Sequence, residues 1–237
     1  MAAVNQMTTL RLPDGQEVAF VDWNDKPLYS TADLRSGYTD ETVEFFTYVP
    51  GDQVSATSNV SIRRTADESD TNLSTPGAMS STEEMLVYAI RPEIFERQSD
   101  GGIAGGGDAT TLALAEAGQP QPASQRLAAM HGQLMLSLRV SQKIMHRAGF
   151  GYWNGGNGVY NAIAGRATQG LPSQEAVRSL SVPIHIGGQE KYRVTVENPS
   201  GQAVLLGISN ATPPVENPDI YETVRINLDG LYKRPVA

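Results

Sequence analysis

Apolar positions in the first hundred residues fall in short runs broken by polar turns, the pattern of strands joined by long loops. "MTTLRLP" (7–13) and "QEVAFVDW" (16–23) flank Asp14-Gly15, a strong tight-turn pair, which predicts a hairpin. "TVEFFTYVPG" (42–51) is aromatic and β-branched and ends at Pro50-Gly51, so it reads as a strand. A polar loop follows, with one short strand expected at 60–63. "EEMLVYAIRPEIF" (83–95) carries two signals. Ser81 and Glu84 fit a helical capping box, whereas the apolar run ending before Pro92 suits a buried strand, and the strand is the preferred reading.

From Ser124 the period changes. Leu127, Met130, Leu134, Leu138, Ser141 and Met145 recur at helical spacing, and Leu136, Val140 and Ile144 widen the apolar surface. With Ser124 as N-cap and Gly149 as C-cap, one helix is predicted over 124–147. Strands then return. "VRSLSVPIHI" (177–186) and "EKYRVTVEN" (190–198) flank Gly187-Gly188, which predicts a second hairpin. "QAVLLGIS" (202–209) and the closing "YETVRINLDGLYKRPV" (221–236) complete the set. The fold expected is mainly β: a jelly-roll-like antiparallel sandwich of about eight strands with one inserted helix and long loops. It forms a single domain over 1–237, with a glycine-rich loop, the helix and an aromatic-glycine segment inserted at 97–176 between two β halves.

Composition sharpens this picture. Glycine (23) and proline (14) supply the turns, and the absence of cysteine excludes disulfides, zinc–thiolate sites and cysteine nucleophiles. "MAAVNQMTTLRLPDG" shows no secretory leader, and no run approaches the roughly 20 apolar residues of a membrane-spanning helix. The net charge of −8 argues against a general nucleic-acid binder. That average hides an asymmetry. Between Glu116 and Glu175 there is no acidic residue, while Arg126, Arg139, Lys143, Arg147 and Arg166 lie inside, so this window is about +5 and the remainder about −13. Such a division suits a surface that meets something acidic, and copies of the same chain would serve.

Chemistry is sparse. His131 and His146 stand fifteen residues apart, some 22 Å along the predicted helix, too far to share a metal. His185 lies in a predicted strand. "GGIAGGGD" has the glycines of a phosphate loop without its Gly-Lys-Ser/Thr ending. "DESDTN" (67–72) offers oxygen ligands for a cation, but counting from Asp67, the positions where a calcium loop needs glycine and glutamate hold Asn72 and Ala78. Neither an enzyme nor a cofactor is expected. On the predicted helix Arg139, Lys143 and Arg147 form a stripe, which suits a solvated face, an interface with an acidic surface, or contact with nucleic acid or anionic lipid. In "GFGYWNGGNGVYNAIAG" (149–165), Phe150, Tyr152, Trp153 and Tyr160 either cap the core or grip a neighbouring subunit, with glycine allowing close backbone approach. A sugar platform of Tyr152, Trp153 and Tyr160 in a carbohydrate-binding sandwich is the reading from another class.

The stretches "VPIHIGGQEKYRVTVENPSG" and "YETVRINLDGLYKRPV" resemble the closing strands of jelly-roll capsid proteins of icosahedral, tailless bacteriophages, over about residues 177–236. The double-barrel members of that group need about sixteen strands, so a single jelly roll is the form expected here. The resemblance implies a virion protein assembled in the host cytoplasm, packing against copies of itself as trimers or larger rings and against other virion proteins. A cement, vertex or tail-associated role is the alternative it leaves. It implies no specific nucleic-acid partner and no membrane span, with contact to an underlying membrane or genome left open.

Overall fold

The computed structural model describes residues 9–11, 15, 17–19, 23–35, 42–56, 64–98, 130–153, 160–163, 166–168, 178–200 and 220–233. Fourteen strands run through them. The first half holds β1 (Thr9–Arg11), β2 (Glu17–Ala19), β3 (Trp23–Asp25), β4 (Leu28–Arg35), β5 (Thr42–Phe45), β6 (Ser55–Ala56) and β7 (Glu84–Gln98). The second holds β8 (Met135–Val140), β9 (Lys143–Gly149), β10 (Tyr160–Ile163), β11 (Arg166–Thr168), β12 (Ser179–Ile186), β13 (Tyr192–Glu197) and β14 (Ile220–Lys233).

Eight of these strands build two facing sheets, ordered β4-β14-β7-β12 and β5-β13-β8-β9, and β3 and β6 extend the first. Counted along the chain, the eight run 1-8-3-6 in one sheet and 2-7-4-5 in the other. Successive strands therefore cross the sandwich at every connection except the fourth to the fifth. That interleaving is the two-Greek-key jelly roll. One apolar cluster fills the space between the sheets, with Ala32, Val87, Val224 and Ile226 from one wall and Phe45, Leu136, Leu138 and Val194 from the other. No helix among the described residues is long and apolar enough to cross a membrane.

The hairpin about Asp14-Gly15 is present, with β1 antiparallel to β2 and Gly15 at φ 88°. "EEMLVYAIRPEIF" is a strand. Pro92 is tolerated within β7 because β12 pairs no further than Ala89, so beyond that point the described ladder is on the β14 side alone. The strand expected at 60–63, the segment 202–209 and the proposed cap Ser124 lie outside the described residues.

Two expectations are corrected. The predicted helix does not run on to 147: a helical turn at 130–133 leads directly into the β8–β9 hairpin, whose turn holds Ser141 at φ 54°, and residues 124–129 lie outside the described ones. The apolar residues in "LMLSLRV" satisfy two periods at once. Leu134 and Leu138 recur at helical spacing, yet Leu136, Leu138 and Val140 also alternate. Burial against Val194 and Val196 of β13 decides for the strand. The segment 97–176 is thus no insertion, since it supplies the fourth and fifth strands of the sandwich. The second correction concerns Gly187-Gly188. This turn does not close a hairpin; it carries the chain from β12 in one sheet to β13 in the other.

A bulge in β7 re-aims the core. Ala89 pairs with Asp229 and Val87 with Gly230, so Tyr88 has no opposite residue. Before it Met85 and Val87 face the main core, and after it Ile90 and Ile94 do. The partner strand crosses so closely that a Cβ on Gly230 would stand 2.1 Å from the Leu86 carbonyl oxygen. Gly230→Ala is expected to lose stability at or above the top of the roughly 1–3 kcal/mol range of overpacked sites, read as a lower urea midpoint. Gly132→Ala, with nothing within 4 Å of the added carbon, is the control and should be neutral or mildly stabilising.

Candidate functional site

The outer face of the smaller sheet is built by simple alternation. In β13, Tyr192, Val194 and Val196 point into the core, so Lys191, Arg193, Thr195 and Glu197 line the other side. In β8, Leu136, Leu138 and Val140 point inward, leaving Ser137 and Arg139 outward, while β5 adds Glu44. Ser137 and Thr195 sit opposite each other near the centre, 3% and 7% exposed, and share a hydrogen bond of 2.7 Å. That pair satisfies two buried hydroxyls on the outer face.

Charges surround this centre. Arg193 reaches Glu44 at 2.5 Å, and Arg147 of β9 pairs with Glu197. Both pairs are substantially exposed, so each contributes only about 0–1 kcal/mol. Arg139 is different. The register sets it directly across from Arg193, a like-charged cross-strand pair that disfavours the sheet. It has no carboxylate partner among the described residues, and its Nε is enclosed without a hydrogen-bond acceptor. Among the described residues, four cations (Arg139, Arg147, Lys191 and Arg193) thus face two carboxylates on this surface of a chain whose net charge is −8.

The sequence-derived stripe is rearranged accordingly. Arg139 and Arg147 share the outer sheet face, but Lys143 pairs with core-facing Val140 and is exposed at the start of β9. The aromatic stretch divides as well. Residues Phe150–Trp153 form a single 3-10 turn, anchored by the Phe150 amide donating to the Leu134 carbonyl at 2.8 Å. Phe150 and Trp153 are 0% and 2% exposed and belong to the core. Tyr152 is 47% exposed, with the Arg178 guanidinium 4.2 Å over its ring. Tyr160 opens β10 opposite Thr168 of β11, and its side chain lies outside the described residues. With Trp153 buried, Tyr152 and Trp153 do not form an open platform for a sugar.

The histidines do not share one helix, since His131 lies in the helical turn at 130–133 and His146 in β9. His131 packs edge-on to Phe150 with ring centroids 5.6 Å apart, and His146 meets Trp153 at 4.4 Å. Burial pushes both imidazoles below their usual pKa of 6.5. The native state therefore takes up these protons less readily than the unfolded chain. Their contribution to stability is whole above about pH 6.5 and is lost as pH falls through that value towards the depressed ones. Urea midpoints at pH 7.5 and 5.5 should show the loss, and His131→Gln with His146→Gln should flatten it. His185 Nε2 lies 3.1 Å from Glu84, which Lys233 also holds at 2.9 Å.

Within "DESDTN", Asp70 and Thr71 are buried, Asp67 to Ser69 are exposed, and several of the oxygens have partners within the protein. Asp67 accepts from the Ser69 amide at 2.7 Å, Asn72 accepts from the Tyr29 amide at 3.0 Å, and Asp70 pairs with Arg64. Among the described residues no three His, Asp or Glu side chains gather into a metal site. Sequence reading missed Glu44, Lys191, Arg193 and Glu197, although the alternation within "EKYRVTVEN" places the last three on one face. By class, the described residues form an eight-stranded jelly-roll sandwich carrying a basic outer sheet face. No protein-family model, curated protein or solved structure matches the chain.

Proposed function

We propose that this chain is a structural subunit of an icosahedral bacteriophage virion, a jelly-roll capsid protein that assembles through contacts between its own copies. The observation that carries the reading is the outer face of β5-β13-β8-β9, where Arg139 stands against Arg193 without a carboxylate on an otherwise acidic chain. A fold alone does not assign function, and jelly rolls also serve in lectins and cupins. The resemblance of residues 177–236 to capsid strands supports the virion choice. A basic face on one copy and the acidic remainder on the next suit head-to-tail contacts, which close into rings or shells. The cysteine-free composition agrees with assembly in a reducing host cytoplasm.

Sedimentation velocity with negative-stain imaging tests this reading. The purified chain is expected to form discrete rings or shells at low salt and to dissociate as salt rises, because exposed charge pairs are screened over about 10 Å at 0.1 M. A strict monomer at high concentration and low salt would overturn it.

A further inference from the structure

At one end of the basic face, a cavity of about 240 Å³ opens between the β8–β9 turn and the start of β13. Arg139, Lys191 and Arg193 supply its charge, and Ser141, Gln142 and Thr47 supply hydroxyl and amide groups; among the described residues no carboxylate lines it. Register explains the crowding. Arg139 faces Arg193 across the ladder, and the Ser141 amide donates to the Lys191 carbonyl at 2.7 Å, which fixes Lys191 beside the same turn.

Three like charges on adjacent strands are unfavourable unless an anion lies between them. Glu44 pairs with Arg193 from outside the cavity. Arg139 gains no compensation inside the fold, since its enclosed Nε has no acceptor among the described residues. We propose that this cavity is an oxyanion site, with the guanidinium groups of Arg139 and Arg193 donating to one tetrahedral or carboxylate anion and Lys191 adding charge. Planar guanidinium forks suit such oxygens in a bidentate way. Two sources share this chemistry: free phosphate or a phosphoester, and an acidic side chain of a neighbouring copy. Only the second rests on the self-assembly reading above.

Isothermal titration of the full chain with inorganic phosphate, and separately with glutarate, tests the site. Saturable binding near one phosphate per chain is expected, weakened at least tenfold in Arg139→Gln and unchanged in Lys233→Gln, which removes one charge from the other sheet. Phosphate bound tenfold more tightly than glutarate assigns the site to phosphate or a phosphoester, and glutarate bound equally well or better assigns it to a neighbour's carboxylate. Absence of saturation with either anion up to 20 mM overturns the proposal, as does equal weakening in Lys233→Gln. Arg139→Gln keeps the fold testable, since removing one of two facing arginines relieves repulsion; an unchanged urea midpoint verifies this. Sedimentation of the same samples separates the two readings. Rings or shells that form without anion binding defeat the site alone, and a monomer that binds phosphate defeats self-assembly alone.

Discussion

Trp153→Ala is expected to lose about 3–5 kcal/mol of stability, the usual cost of emptying a buried tryptophan site. Trp153 is among the largest fully enclosed side chains, and its indole is wedged edge-on between His146 at 4.4 Å and Tyr152 at 5.0 Å. Truncation removes the lid of the 3-10 turn and opens a void in the core beside Phe150. Urea unfolding followed by far-UV dichroism reads the loss, and sedimentation at a denaturant-free, low temperature reads the oligomer. A large fall in midpoint with particle size retained marks Trp153 as a core residue. A small fall with loss of particles would contradict its burial and return it to an inter-subunit role.

The second large effect lies on the opposite sheet. Asp33 and Asp70 are 3% and 1% exposed, and Arg64 lies between them. Its Nε donates to Asp33 at 2.9 Å and its terminal nitrogen pairs with Asp70. Thr223 donates to Asp33 at 2.7 Å and Thr31 to Asp70 at 3.2 Å, so the carboxylates are hydrogen-bonded as well as paired. Arg64→Met should lose about 3–5 kcal/mol, because it strands two buried charges. Adding Asp33→Asn and Asp70→Asn should restore part of that loss. If Arg64→Met unfolds at the wild-type urea midpoint, the network is not holding the 64–73 loop onto β4.

The fold was legible where one period ruled. β14 alternates apolar Val224, Ile226 and Leu228 with polar Arg225, Asn227 and Asp229, and Gly15 closed its hairpin as the local chemistry required; in β7 the apolar run before Pro92 outweighed the capping-box pattern. The pattern failed where two periods coincided, at 134–145, because helical and alternating apolar sets share Leu134 and Leu138, and only the facing valines of β13 choose between them. It also failed at Gly187-Gly188. A glycine pair specifies a tight turn without specifying whether the chain returns in the same sheet or crosses to the other. Arg64 escaped notice because it bridges a near partner, Asp70, to a distant one, Asp33, which lies 31 positions away. For the candidate site, the acid-free window pointed to Arg139 and Arg147, but as members of a helical stripe. Their setting beside Lys191 and Arg193 depends on cross-strand register, which no local pattern encodes.

Charge reversal on the basic sheet face tests self-assembly most directly. Arg139→Glu with Arg147→Glu should leave the urea midpoint within about 1 kcal/mol of wild type. Arg147 forms only an exposed pair, and the carboxylate introduced at position 139 would face Arg193 as an opposite charge. Sedimentation velocity at low salt should then show rings or shells from the wild-type chain and monomer from the variant. Particles of unchanged size from a folded variant would contradict the assignment of this face to the contact between copies.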